Sequence, residues 1–476
     1  MKLKFAGLFL CFLSSALVAG DLRTLPPDPN QAIFGSRIQR FMGLLEMSQQ
    51  LHDFPVKVLV YGQSIMAQRA ADQSVQQLKE RYPYAKLIVE NRAIGGCTAP
   101  SLVHAAETDL YPFYPDLLIF HVYGGEVRGE FERIISNVRR YTTADIMLLT
   151  HHIDSRDEQG VWDAASAWRR GIAQKYNCEL VDVRLVWKSY LEAHGLQASD
   201  LLKDHIHLNE HGIALHRAII SRHFQVNPSG HHKWMDTVRS YEIARPAYER
   251  MRDLEFSQQA WNPWAKKGED PSRIQGNRLK LEFFGNRVDV RTVRAAEALG
   301  TATILIDGKK PSEFAETFAA TRVNQGPRSW FPGYFTIQPG RAPVAEKWVM
   351  RIGQLAEKGM AAPFSVTGSS TGLDGEGTLR DDFVSASNRF SLLSQHLTLF
   401  KGPASKPMPA DYELRWEIYQ MGTDVWVPAM PKDENSIAQF TLVQGLSNAR
   451  HTLEIIPNGD GVLPLKEIVI HSPSLK

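Results

Sequence analysis

The sequence predicts two unlike parts: an α/β sandwich built on a parallel sheet, followed by an antiparallel β-sandwich. Three observations carry this expectation. Over the first part, short apolar runs alternate with longer polar stretches of helical spacing, the pattern of strands buried on both faces with helices between them. From Gly276 onward the alternation has period two and no helical stretch intervenes. Between the two lies "NPSGHHKWMD", a turn-rich break that begins at Asn227. A chain of 476 residues has room for both.

Taken in order, the chain begins "MKLKFAGLFLCFLSSALVAG". Lys2 and Lys4, an apolar stretch and then small residues near Ala19 form the order of a secretory signal peptide, so residues 1–20 are expected to be removed and the rest exported, secreted or periplasmic. Residues 21–228 hold the α/β pattern. "VKVLVYG", "AKLIVENRA", "DLLIFHVYG", "ADIMLLTHH" and "CELVDVR" read as strands, and "AADQSVQQLKERYP" and "FERIISNVRRYT" as helices. Residues 229–275 read as a linker whose segment "TVRSYEIARPAYERMRDLEF" is helical. Residues 276–476 form the β part. In "RLKLEFFG", Leu279, Leu281 and Phe283 point one way and Arg278, Lys280 and Glu282 the other. "TATILIDG", "YELRWEIYQ", "IAQFTLVQG", "HTLEIIPNGDG" and "LKEIVIH" continue the pattern between Gly, Pro, Asn and Asp.

A net charge of +2 gives no footprint for nucleic acid or an anionic membrane surface, and beyond residue 20 no stretch is long and apolar enough to span a bilayer. After the leader only Cys97 and Cys178 remain. They could pair or stay as separate buried thiols.

The chemistry gathers in the first part. In "VKVLVYGQSIMAQ" an apolar strand stops at Gly62 and puts Ser64 on the next turn. Gly62 could simply bend the chain and Ser64 cap a helix; alternatively Ser64 is a nucleophile at the carboxyl end of a parallel sheet, where open α/β folds place their ligands. "VENRAIGGCTA" follows the second strand, and its Gly95-Gly96 pair lets a backbone N–H approach a ligand closely. "PDLLIFHVYGGE" ends the third strand in another glycine pair. "LLKDHIHLNEHG" puts Asp204 three residues before His207 in a loop entering a helix. On such a turn the carboxylate can accept an imidazole N–H and leave the other nitrogen as base for a serine hydroxyl. His151-His152-x-Asp154, with His205 and His207, has metal-like spacing but equally suits a cleft wall, and His231-His232 reads as a solvated turn.

These motifs occur in the order of the SGNH (GDSL-type) hydrolase superfamily, which the α/β part resembles. "GQSI" resembles the nucleophile block, "NRAIGGCT" the second block and "DHIHLNEHG" the final one. The resemblance implies a three-layer sandwich, a Ser64, His207, Asp204 triad, an oxyanion hole from the backbone of Ser64 and Gly96, and no metal or cofactor. The third block departs. Where the family carries Gly-x-Asn-Asp, this chain has Tyr123-Gly124-Gly125-Glu126, so the asparagine donor is absent and the Gln63 amide is the expected substitute, with His121 or Tyr123 as alternatives. His121, Tyr123 and His151 are expected substrate contacts. The β part resembles jelly-roll, carbohydrate-binding-type modules joined to SGNH domains in secreted polysaccharide deacetylases. Trp330, Phe331 and Tyr334 of "RSWFPGYF" could stack on sugar rings or fill the sandwich core. The expectation is a secreted serine esterase that removes acyl groups, acetyl first, from a polysaccharide or oligosaccharide. Its rivals are a lipid esterase or acyltransferase of the same superfamily, and a non-catalytic glycan-binding protein.

Overall fold

Alternation along the five apolar runs of the first part decides which face each residue meets. The computed structural model describes residues 22–157, 160–227, 237–242, 254–256, 278–292, 294, 298–324, 331–354, 362–399, 408–409, 411–461 and 463–475; the leader, His231-His232 and Trp330 lie outside them. The runs become β1 (Phe54–Gly62), β2 (Ala85–Asn91), β3 (Leu117–His121), β4 (Asp145–Leu149) and β5 (Glu179–Val181). They pair in parallel in the order β2-β1-β3-β4-β5. Val56, Val58 and Val60 of β1, Leu117 and Ile119 of β3, and Met147 and Leu149 of β4 enter one apolar cluster. The residues between them, Leu59, Tyr61, Leu118, Phe120, Ile146 and Leu148, enter a second cluster on the opposite face. A sheet buried on both faces requires cover on both.

The helices supply that cover: α1 (Gln39–Ser48), α2 (Ser64–Ala67), α3 (Ala70–Gln76), α4 (Leu78–Arg81), α5 (Ala99–Asp109), α6 (Glu130–Tyr141), α7 (Asp163–Lys175), α8 (Val183–His194) and α9 (Glu210–Ser221). Phe41 and Leu45 of α1, Trp187 of α8 and Leu215 of α9 close the first face. Leu102 of α5, Phe131 and Ile135 of α6 and Ile172 of α7 close the second. The order 2-1-3-4-5 reverses direction between β1 and β3, and the crevice above such a switch point is where open α/β sheets bind ligands.

The C-terminal part is antiparallel β structure of the sandwich class. One sheet joins Val425–Trp426, Ala302–Ile306, Ala438–Pro457, Leu279–Thr292, Leu465–His471 and Val238–Glu242 in that spatial order, with Leu254–Phe256 also on Leu279–Thr292. A five-stranded sheet joins Phe318–Ala320, Glu413–Gln420, Glu346–Ile352, Pro363–Gly368 and Gly372–Thr378. Each has its own apolar cluster. The alternation in "RLKLEFFG" holds, with Leu279, Leu281 and Phe283 buried. "IAQFTLVQG" and "HTLEIIPNGDG" are consecutive parts of one 20-residue strand that absorbs two register shifts against its neighbour.

One expectation is corrected here, and one open choice is decided. Val238–Glu242 and Leu254–Phe256, read as helix, are strands; the first pairs with Leu465–His471 and the second with Leu279–Thr292. An open sheet edge supplies backbone partners that local propensity does not register. Of the two roles open to Phe331 and Tyr334 the structure has the second: both are buried in the core of the five-stranded sheet.

The two parts are in direct contact. His52 pairs its backbone with Asn435 and Ile437, and the Ile437 side chain joins the first α/β cluster. Tyr114 donates to Asn286 at 2.9 Å, and Arg322 holds Asp109 at 2.5 Å and the Arg92 carbonyl at 3.0 Å. Through Arg92 the β part braces the segment leading into Gly95-Gly96.

Candidate active site

Gly62 ends β1 with φ +147°, and a Cβ there would meet the His121 carbonyl at 1.9 Å. Only glycine lets β1 run this close to the end of β3, and the chain then turns at once into α2. Gln63, in extended conformation, caps α2 through its side-chain oxygen, and Ser64 is the first helical residue, half-buried at the switch point.

His207 comes from the loop ahead of α9. Leu202 and Leu208 bridge across that loop, Lys203 N–H donates to the His207 carbonyl at 2.9 Å, and Asn209 caps the helix by accepting from Gly212 at 2.9 Å. His207 Nε2 lies 2.8 Å from Ser64 Oγ, and His207 Nδ1 lies 2.8 Å from Asp204 Oδ2. Asp204 Oδ1 accepts the backbone N–H groups of His207 at 2.7 Å and Ile206 at 2.9 Å. Those two donors, with the imidazole behind them, hold the carboxyl well below the usual carboxylate range although the residue is exposed. An ionised Asp204 favours the Nδ1–H tautomer, which leaves Nε2 of His207 facing Ser64 Oγ.

The second block lies against the serine. Ile94 N–H donates to the Gly62 carbonyl at 2.9 Å, and the turn that follows places a Cβ at Gly95 3.8 Å from that of Ser64. Gly96 has φ +72°. In the third block Gly125 has φ +90° and no room for a side chain, since a Cβ would lie 2.5 Å from Ala99 Cβ and 2.8 Å from Phe131 N. Glu126 turns away to pair with buried Arg169 at 2.8 Å.

Several assigned roles change. Gln63 is buried, and its Oε1, not its amide nitrogen, faces Ser64: Oε1 lies 2.8 Å from Ser64 Oγ and accepts Ile65 N–H at 3.0 Å. Its Nε2 lies 3.2 Å from His121 Nδ1. The amide nitrogen of Gln63, expected as an oxyanion donor, is therefore turned from Ser64 and committed elsewhere. His121 and His151 are 2 % and 0 % exposed, so neither can touch a polymer directly; their rings meet at 2.8 Å between His121 Nε2 and His151 Nδ1. Tyr123 is half-buried and stacks on His151, centroids 4.2 Å apart, with Trp162 beside both and the Tyr123 hydroxyl itself buried. The side chains with ligand-like spacing are engaged in other ways: His152 Nε2 bonds the Ile206 carbonyl at 2.8 Å, Asp154 pairs with Arg156, and His205 bonds Ser155. Cys97 and Cys178 are separate buried thiols.

Gln68, which no motif marks, and His152 hold the loop that carries His207. Gln68 donates to the Leu208 carbonyl at 2.8 Å and accepts Leu208 N–H at 3.0 Å, tying the segment after Ser64 to the residue after His207. His152 grips the same loop from the end of β4, and burial pushes its pKa down to about 4, so it donates as a neutral imidazole. The one sequence signal for Gln68 is a glutamine four residues beyond the serine.

A serine after the first strand, at the switch point of a 2-1-3-4-5 sheet, meets an Asp-x-x-His loop leading into the last helix. The α/β part is a three-layer sandwich around a parallel five-stranded sheet. No protein-family model and no curated protein matches this sequence. Among solved structures, the chain is similar to a two-domain esterase (CEX) active on acetylated mannans, at 13 % identity and TM-score 0.36, over 92 % of this chain and 96 % of that one. It is also similar to Axe2, an acetylxylan esterase from Geobacillus stearothermophilus, at 18 % identity and TM-score 0.33, over 37 % of this chain and 96 % of that one.

Proposed function

We propose that the chain is an exported serine esterase that removes acyl groups, acetyl foremost, from a polysaccharide or oligosaccharide. The supporting observation is the unbroken line Asp204–His207–Ser64, with both links at 2.8 Å. His207 takes the proton of Ser64 as Oγ attacks the ester carbonyl, and the backbone N–H groups of Ser64 and Gly96 stabilise the oxyanion. His207 then gives its proton to the departing sugar oxygen. Water, deprotonated by the same imidazole, cleaves the acyl-enzyme and restores Ser64. Asp204 orients and stabilises the imidazolium throughout.

Export rests on the leader pattern of residues 1–20, and the glycan substrate on the resemblance of both parts to secreted deacetylases. The hydrogen bonds of Ser64, His207 and Asp204 all stay within the α/β part, so the β part acts as brace and polymer contact. The test is acetate release from acetylated polysaccharides set beside hydrolysis of long-chain esters. Preference for the acetylated glycan is expected, and preference for long chains favours a lipid esterase. Gly125 in place of an asparagine favours a second reading, a glycan-binding protein without turnover, because one lost donor costs about 10²–10³ in rate. Absence of hydrolysis of any ester would select it.

A further inference from the structure

We propose that His121 and His151 are positioning residues for the nucleophile, acting through the Gln63 amide that they hold with its oxygen on Ser64. The proposal rests on Ser64 being the nucleophile. The four side chains form one line: Ser64 Oγ to Gln63 Oε1 at 2.8 Å, Gln63 Nε2 to His121 Nδ1 at 3.2 Å, and His121 Nε2 to His151 Nδ1 at 2.8 Å. Gln63, His121 and His151 are all buried, so the partners within the line decide where each proton sits.

The line has a direction. Gln63 Oε1 must accept, because Ile65 N–H donates to it. Gln63 Nε2 then donates, which leaves His121 Nδ1 as acceptor and puts its proton on Nε2. That proton goes to His151 Nδ1, so His151 carries its own on Nε2, a buried atom without a partner among the described residues. Burial pushes both imidazoles well below the usual histidine range and keeps them neutral, as the line requires. Reversing the amide would set an N–H against Ile65 N–H and would require both rings to exchange tautomers, so the Ile65 N–H fixes the direction of the whole line.

The consequence lies at Ser64. Its hydroxyl sits between two acceptors, Gln63 Oε1 and His207 Nε2, each at 2.8 Å. Together they fix the oxygen, and the proton swings from one to the other as His207 becomes the base. If His151 is lost, the His121 N–H lacks its acceptor, the ring is released, and the Gln63 amide with it. Small displacements of a reacting group lower rates by as much as about 10²-fold, and the effect falls on turnover because neither histidine reaches the surface.

Two experiments on the full chain test this. Nitrogen-15 NMR of histidine-labelled protein should show His121 and His151 as neutral Nε2–H tautomers from pH 5 to pH 8; a charged ring or an Nδ1–H tautomer at either position overturns the proposal. In kinetics on a small acetate ester, His151→Leu should lower kcat by about 10- to 100-fold with KM unchanged. His151→Asn, which keeps an acceptor near the place of Nδ1, should recover most of that loss. Wild-type kcat in His151→Leu, or equal losses in both variants, overturns the proposal and leaves the esterase reading intact. A wild-type chain that hydrolyses no ester overturns both.

Discussion

The asparagine missing from the third block can be put back, and the backbone argues that it will not fit. Gly125→Asn restores the residue that the resemblance leads one to expect. Gly125 has φ +90°, a conformation that opposes any L side chain, at roughly 1–2 kcal/mol. The new Cβ would lie 2.5 Å from Ala99 Cβ, 2.8 Å from Phe131 N and 3.2 Å from Phe131 Cβ, at the start of α6. Phe131 is fully buried, so the overlap cannot be relieved outward, and overpacking of this kind costs about 1–3 kcal/mol. The sum, about 2–5 kcal/mol, corresponds to a melting temperature about 4–20 °C lower for a part of this size. Scanning calorimetry of wild type, Gly125→Ala and Gly125→Asn measures it. Alanine should show most of the loss, since the Cβ already makes the contacts, and neither variant should gain turnover. An asparagine variant that melts with wild type and hydrolyses acetate esters about 10²-fold faster would refute the reasoning, and would mean that the hole lacked only this donor.

Further outcomes follow from the same contacts. Gln68→Ala removes both side-chain bonds to Leu208 and should lower stability by about 1–3 kcal/mol, with a drop of about tenfold or more in kcat as His207 loosens; chemical denaturation and steady-state kinetics on the same samples check it. Acid should destabilise the fold before carboxylates of ordinary pKa titrate. Burial lowers His152 and His471 to about 4 and His216 to about 3 from 6.5, so between those values the unfolded chain binds protons that the folded chain refuses, and stability falls as pH drops from about 6.5 toward 4. Glu107 and Asp145, raised by burial to about 7 and about 6, work in the opposite direction, but they are two groups against these three histidines and His396, which burial also lowers to about 4. At about 1.4 kcal/mol per unit the net loss is several kcal/mol, read as a lower melting temperature at pH 5 than at pH 7; equal values would contradict it.

The α/β part was legible because its strands are buried on both faces and must read as unbroken apolar runs. β1 through β5 fall where those runs stand. The meeting of Ser64 with Asp204 and His207 was legible from motif order, since Gly62 and the Asp-x-x-His spacing constrain backbone more than neighbours do. What failed to show depends on neighbours distant in sequence. Val238–Glu242 is a strand because Leu465–His471 lies open beside it. Tyr334 is core because the five-stranded sheet folds over it. The orientation of Gln63 depends on Ile65 at one end and His121 at the other, 58 residues away. No local pattern says which end of an amide faces a serine.

The central claim is that Ser64 is the nucleophile. The most direct measurement is mass spectrometry of the full chain after treatment with a serine-directed phosphonate, alongside turnover of a small acetate ester by wild type and Ser64→Ala. The account predicts one adduct, on the peptide containing Ser64, loss of turnover in step with labelling, and a Ser64→Ala variant that folds as wild type does yet neither labels nor turns over. Labelling at another serine, or a folded Ser64→Ala variant that keeps most of its turnover, would contradict it.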